Sequence, residues 1–318
     1  MRMLRVSTLL VALGAMSPGY AQDYPTKPIH IVVPSPPGGG NDIVARYFAR
    51  FLQDRSGQTV IVENKPGAQT LIGARAVASA RPDGYTILFI PSSISAYPVF
   101  NKEPGIDVSK DLSFISMVIR APQIFVVGAA SPYGSVADVV AASKANPDKL
   151  NYVTYGQSIW LQTEMVNRAA GIKATHVRYS SAADAAKAIV NRDADYFLAS
   201  LGTIRPWINS KQMKMLAVTS HARNLNLPEV LSLPEVGVKT ADLQIWMGVF
   251  APKGTPRPII DYLNKKIVEF TQDPQSAQQM RDAGFEPHAN TPEEFREFFV
   301  QEEGSYVQVG KDLGIKPE

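Results

Sequence analysis

The sequence predicts an α/β protein of two lobes followed by a helical C-terminal segment. Three observations carry this. Strand-like and helix-like patterns alternate from Tyr24 to about Phe100, the alternation resumes between about residues 113 and 219, and from Arg257 onward the patterns are helical. Taken in order, the β-branched run Ile29–Val33 predicts a strand and Ile43–Gly57 a helix. Val60–Val62 is a second strand, Leu71–Ala80 a second helix and Tyr85–Ile90 a third strand, launched by the turn Arg81-Pro82-Asp83-Gly84. Ser113–Arg120 and Gln123–Val127 read as two further strands. Ser135–Ala145 is a helix with a capping box formed by Ser135 and Asp138, and Asn151–Tyr155 is the next strand. Gln157–Gly171 is helical, Thr175–Arg178 extended, and Ala182–Val190 a helix capped by Ser180 or Ser181. Tyr196–Ala199 and Met215–Thr219 read as strands joined by a segment containing Pro206. Beyond the apolar run Trp246–Phe250, helices are predicted over Arg257–Gln272, Pro274–Ala283 and Pro292–Leu313.

Two bends in the first unit carry chemistry. Pro37, Gly38, Gly39, Gly40, Asn41 and Asp42 lie between the first strand and the first helix; Lys65 to Thr70, with Ala68, Gln69 and Thr70, lie between the second strand and the second helix. A strand, a glycine-rich bend and a helix start in that order set unpaired amides and a positive dipole end at one point. Such a point binds a carboxylate or phosphate without a cationic side chain. Two such bends predict a carboxylate held from two sides.

Composition narrows the functional class. Arg2 and Arg5, the apolar stretch Val6 to Met16 and the small-residue site at Gly19-Tyr20-Ala21 predict a secretory signal peptide over residues 1–21, too short to span a bilayer. Its removal leaves 297 of 318 residues, enough for two domains, and lowers the formal charge from +3 to +1. A near-neutral chain with interspersed charges argues against nucleic acid as a partner. The absence of cysteine excludes disulfides, thiolate nucleophiles and thiolate metal sites. The four histidines, at 30, 176, 221 and 288, are scattered, so no metal or other cofactor is expected. The glycine run lacks the Gly-Lys-Ser/Thr ending of a phosphate loop, and Ile43 stands where a dinucleotide fingerprint needs glycine. Gly156-Gln157-Ser158-Ile159-Trp160 resembles a nucleophile elbow, but Trp160 fills the place of a required glycine. A secreted hydrolase using Ser158 is the alternative class this leaves; capping or ligand contact is the plainer role for that serine.

The two bends and their surroundings resemble the solute receptors of tripartite tricarboxylate transporters, the Bug family. The resemblance rests on Tyr24-Pro25, Lys27-Pro28-Ile29, Val33-Pro34, Pro37-Gly38-Gly39 with Asp42, and Val62-Glu63-Asn64-Lys65-Pro66-Gly67-Ala68. It continues through Pro82-Asp83-Gly84-Tyr85, Ala145-Asn146-Pro147, Ala217-Val218-Thr219-Ser220, Ala251-Pro252-Lys253-Gly254-Thr255-Pro256 and Thr291-Pro292-Glu293-Glu294-Phe295. It implies a type II periplasmic-binding-protein fold, two α/β lobes joined by a hinge of two crossing strands. It also implies a periplasmic, non-enzymatic monomer that captures a carboxylate and delivers it to a membrane permease of that transporter type. A ligand-sensing subunit for a signalling partner would share fold and ligand. Residue by residue, the carried-over grip is Pro37 to Asp42 and Ala68 to Thr70. Ser92, Ser93, Gln157, Ser158, Trp160, Tyr179 and Ser200 are the further candidate ligand contacts. The lobes are expected at 22–121 with 247–318, and at 122–246, crossing near Gln123–Val127 and Trp246–Phe250.

The second lobe departs from the pattern. The loop after Tyr152 lacks the expected Gly-x-Gly-Ser and carries Trp160, and Arg178-Tyr179-Ser180-Ser181 stands where Pro-Tyr-Lys-Gly is usual. Trp160, Tyr155 and Tyr179 are therefore expected to form a flat apolar pocket, with Arg178 or Arg205 pairing a second carboxylate. A terephthalate-like diacid would suit such a pocket.

Overall fold

The computed structural model describes residues 24–317 except 104, 225, 226 and 241, so the signal-peptide reading lies outside the described residues. The first unit runs β1 (Ile29–Val33), α1 (Gly40–Ser56), β2 (Val60–Asn64), a single turn at Ala68–Thr70, α2 (Leu71–Ala78) and β3 (Thr86–Pro91). A turn at Ser92–Ala96 and the short helices α3 (Tyr97–Phe100) and α4 (Val108–Asp111) lead into β4 (Leu112–Gly128). The second unit runs α5 (Val136–Ala145), β5 (Leu150–Thr154), α6 (Gln157–Ala170), β6 (Ala174–Arg178), α7 (Ala182–Asn191), β7 (Tyr196–Ser200), α8 (Leu201–Asn209) and β8 (Met213–Val218). β9 (Gln244–Pro252) returns to the first unit, followed by α9 (Arg257–Gln272), α10 (Pro274–Asp282), β10 (Glu286–Pro287) and α11 (Pro292–Asp312).

The sheet order is β2-β1-β3-β9-β4-β7-β5-β6, with β8 and β10 also on β4. β1 pairs in parallel with β2 and β3, and β5 in parallel with β6 and β7. Each unit thus has parallel strands whose C-terminal ends point one way, and in such sheets ligands collect at those ends. The two strands expected between 113 and 127 are one. Pro122, which lacks a ladder amide, sits between the two. In the fold the missing amide falls where β4 exchanges partners, from β9 up to Pro122 to β7 and β8 from Gln123 and Ile124 onward. The segment containing Pro206 is the helix α8.

Packing follows the same division. Phe48 and Phe51 each place their ring centre 5.4 Å from that of Phe270 in the first lobe, and Phe125 stacks on Tyr196 at 4.9 Å in the second. Each such ring contributes roughly 2 kcal/mol or more by leaving water. Leu243 packs into the second core and Trp246 into the first. The Ser135–Asp138 capping box is formed, and Ser181 caps α7. α11 packs on β4 and α3 and also reaches α6, touching both lobes.

Candidate functional site

The first bend is wired for rigidity. Asp42 is 2% exposed, and its carboxylate accepts from the Gly38 amide (2.9 Å), Arg46 Nε (2.9 Å) and Asn64 Nδ2 (2.8 Å). Burial works against the charge, but these donors win and hold the carboxyl below its usual range. Asn41 Nδ2 donates to the Phe89 carbonyl at 3.1 Å. Asp42 therefore spends its side chain on the fold, and Asn41 spends its Nδ2 there while its Oδ1 is buried without a partner. The α1 backbone keeps its opening, because Gly39 in extended conformation (φ −74°) supplies no side-chain cap and the first helical amides stay unpaired within the helix. At Gly40 an added Cβ would stand 2.8 Å from the Phe285 ring and in ordinary contact with Met247 (3.8 Å), so glycine lets the helix start this close to Phe285.

The second bend is left-handed throughout. Ala68 (φ 43°), Gln69 (52°) and Thr70 (87°) follow one another in a region that side chains other than glycine's avoid, at about 1 kcal/mol or more each. Tyr97 holds the turn by donating its hydroxyl to the Ala68 carbonyl, and Thr70 N–H closes on Gly67 O at 3.0 Å. The turn presents Gln69 and Thr70 to a cavity, and Thr70 Oγ1 is shielded from water without a hydrogen-bond partner. Such an orphan costs roughly 1–3 kcal/mol until something pairs with it.

That cavity, of about 390 Å³, lies where both units meet. From the first come Gln69, Thr70, Ser92 and Ser93; from the second, Tyr155, Gln157, Ser158 and Arg178; β9 adds Trp246 and Met247. α6 begins here from Gly156, which is extended and gives no side-chain cap, so a 14-residue helix points its free amides at the space. Ser158 is 8% exposed. Eight residues singled out by sequence thus share this wall: Gln69, Thr70, Ser92, Ser93, Tyr155, Gln157, Ser158 and Arg178. Pro37 to Asp42 stand behind it, nearest through Gly40 and Met247. Ala68 serves the turn through its carbonyl, Tyr179 packs against the second-lobe core, and Ser200 Oγ pairs with Thr203 Oγ1 at 3.0 Å.

Trp160 is not on this wall. It lines a neighbouring depression, stacks on His176 with ring centres 5.0 Å apart, and donates to Tyr152 OH at 3.0 Å. Arg205 is turned away toward the Arg281 carbonyl. Sequence reasoning missed Ile119, Ile245 and Met247, whose apolar strand pattern reads as core. The hydrolase alternative finds no support in the geometry around Ser158. His176 commits Nε2 to Thr154 Oγ1 at 2.7 Å, and burial followed by Arg178 lowers its basicity. Among the described residues no cluster of ligating side chains suits a metal, and no helix is long and apolar enough to cross a membrane.

Residues 44–313 match the family described as tripartite tricarboxylate transporter family receptor. The chain belongs to this family. It is a receptor family rather than an enzyme family; its members are periplasmic binding proteins that take small carboxylates and work with transporters. The receptor is 31% identical to protein BugT of Bordetella pertussis over 99% of this chain and 98% of that one. Among solved structures it resembles the periplasmic binding protein BugD (31% identity, TM-score 0.74, 93% of this chain and all of that one). It also resembles an R. palustris protein solved with adipate (28% identity, TM-score 0.78, 93% and 100%). These neighbours share the two-lobe fold, so the receptor has the type II periplasmic-binding-protein architecture expected from its sequence.

Proposed function

We propose that the cavity between the lobes seats the carboxylate of a small organic acid, and that the closed, loaded receptor delivers it to the membrane permease of its transporter. One observation carries the reading: polar groups without partners converge on one space from both lobes. The left-handed turn brings Thr70, whose unpartnered Oγ1 needs only a rotation of the side chain to face the space, and the uncapped α6 start brings its amides, so an acid between them would satisfy both. Because both lobes contribute, a bound acid favours the closed form by its differential affinity for that state. The α1 start joins the grip through its free amides as the lobes close. The adipate bound by a relative supports an acid ligand. Tyr155, Ile159 and Trp246 give the space flat apolar walls, so an aromatic diacid such as terephthalate belongs among the candidates. The chain works as a monomer exported by its N-terminal signal peptide, with lobes at 22–121 plus 247–318 and at 122–246.

The test is a thermal-shift screen of the purified mature protein with mono-, di- and tricarboxylates, aliphatic and aromatic, followed by calorimetry on the hits. At least one acid raises the unfolding temperature by several degrees when present at a hundred times its Kd, where ligation adds about 2.7 kcal/mol. If amines and neutral sugars stabilise the protein while every acid is inert, the proposal is wrong.

A further inference from the structure

Beside the cavity lies a second chamber of about 290 Å³ that the reading above does not use. The two share one rim, made of Gly156, Gln157 and Arg178. The side chamber is walled by Trp160 and His176 from the second lobe, by Phe100 of α3, and by Ile315 and Lys316 of the C-terminal tail. No carboxylate is among the residues that line it. Its two fixed cations, Arg178 and Lys316, are exposed and neither is ion-paired within the described residues. His176 adds no charge at neutral pH, since burial and then Arg178 keep it below its usual range. Its ring is instead fixed flat against Trp160, with an interplanar angle of 7°, and Phe100 approaches the indole at 5.8 Å. The result is a flat aromatic floor with positive charge at the rim on one side and in the tail on the other.

We propose that this side chamber receives the far end of an elongated acid whose first carboxylate sits in the cavity between the lobes, and that Lys316 of the C-terminal tail reads the second acid group. This rests on the carboxylate reading above and adds to it a place and a length requirement. A chain or ring crossing the Gly156–Gln157 rim keeps its apolar middle on the floor, while Arg178 and Lys316 flank its terminal anion. The tail then acts as a specificity element, although it lies far in sequence from both bends.

The experiment is calorimetry on the mature receptor with straight-chain α,ω-diacids from six to ten carbons, each paired with the monoacid of equal length. At the matching length the diacid binds about fivefold or more tighter than its monoacid, the scale of a partly exposed charge-assisted bond. Lys316→Gln, which touches the side chamber alone, removes most of that gain and leaves monoacid binding unchanged, and Lys316→Arg restores it. No gain at any length, or a gain that survives Lys316→Gln, overturns the inference while the carboxylate reading stands. Should neither monoacids nor diacids bind at all, both fall.

Discussion

The first bend and the start of α6 are both helix N-termini after a parallel strand, yet they spend their side chains in opposite ways. At the first bend Asp42 accepts three hydrogen bonds and Asn41 anchors to Phe89, leaving backbone amides for a ligand. At α6 the side chains Gln157, Ser158 and the nearby Arg178 face open space between the lobes. The difference teaches a division of labour. On the function proposed above, one lobe would offer a rigid backbone grip, and the other adaptable side chains that decide which acid is held.

The largest effect that would break this comparison is at Gly39. Gly39→Asp introduces an acidic N-cap at an ordinary backbone conformation, with only a 3.6 Å contact to the Pro36 carbonyl. Carboxylate binding falls more than a hundredfold while the unfolding midpoint in urea stays within about 0.5 kcal/mol of wild type. Unchanged affinity would place the grip elsewhere. Asp42→Ala shows the opposite signature, a stability loss of about 3 kcal/mol, because Arg46, Asn64 and the Gly38 amide lose a buried acceptor. Since the Asp42 pKa is lowered by folding, its contribution is present above the unfolded value near 3.8 and fades as pH falls below it. Urea curves of wild type and variant therefore converge in acid.

Ser158→Ala sharpens the contrast on the other lobe. Affinity drops about fivefold, near 1 kcal/mol for one lost hydrogen bond, with stability unchanged by calorimetric melting. A last effect, read in stability rather than affinity, concerns Glu302 on α11, whose carboxylate accepts from Ser95 Oγ (2.6 Å), Trp246 Nε1 (2.9 Å) and Tyr306 OH (3.3 Å). Burial raises it to about 7 against those donors. A carboxyl raised above its unfolded value of 4.5 binds more protons folded than unfolded, so stability falls as pH rises from about 4.5 to 7. Glu302→Gln flattens that part of the profile, measured as the difference between wild-type and variant urea midpoints across pH.

Much of the architecture was legible because local signals agreed with one another. The β-branched run before Pro34, the glycines at 38–40, the Ser135–Asp138 box and the turn at Pro82–Gly84 each fix a boundary through short-range physics. Where the reading failed, a local rule was outweighed by distant packing. Pro122 signals a break, yet β4 runs through it because its ladder changes sides there. The left-handed turn at 68–70 was invisible, since neither Ala68 nor Gln69 announces a positive φ, and Tyr97, far along the chain, helps hold it. Trp160 offered an aromatic wall by composition, but whether it faces the cavity depends on His176 and Tyr152 beside it.

By itself the sequence determined the alternation of strands and helices, the two amide-bearing bends and the family, because each is written in contiguous residues whose conformational preferences act locally. Only the tertiary structure decided which groups share a space. Thr70, Ser92, Ser158 and Trp246 line one cavity, and Lys316 and Arg178 line the chamber beside it, although each set is far apart in the chain. Such meetings are set by how two cores pack around one crossing strand, and no stretch of neighbouring residues encodes them.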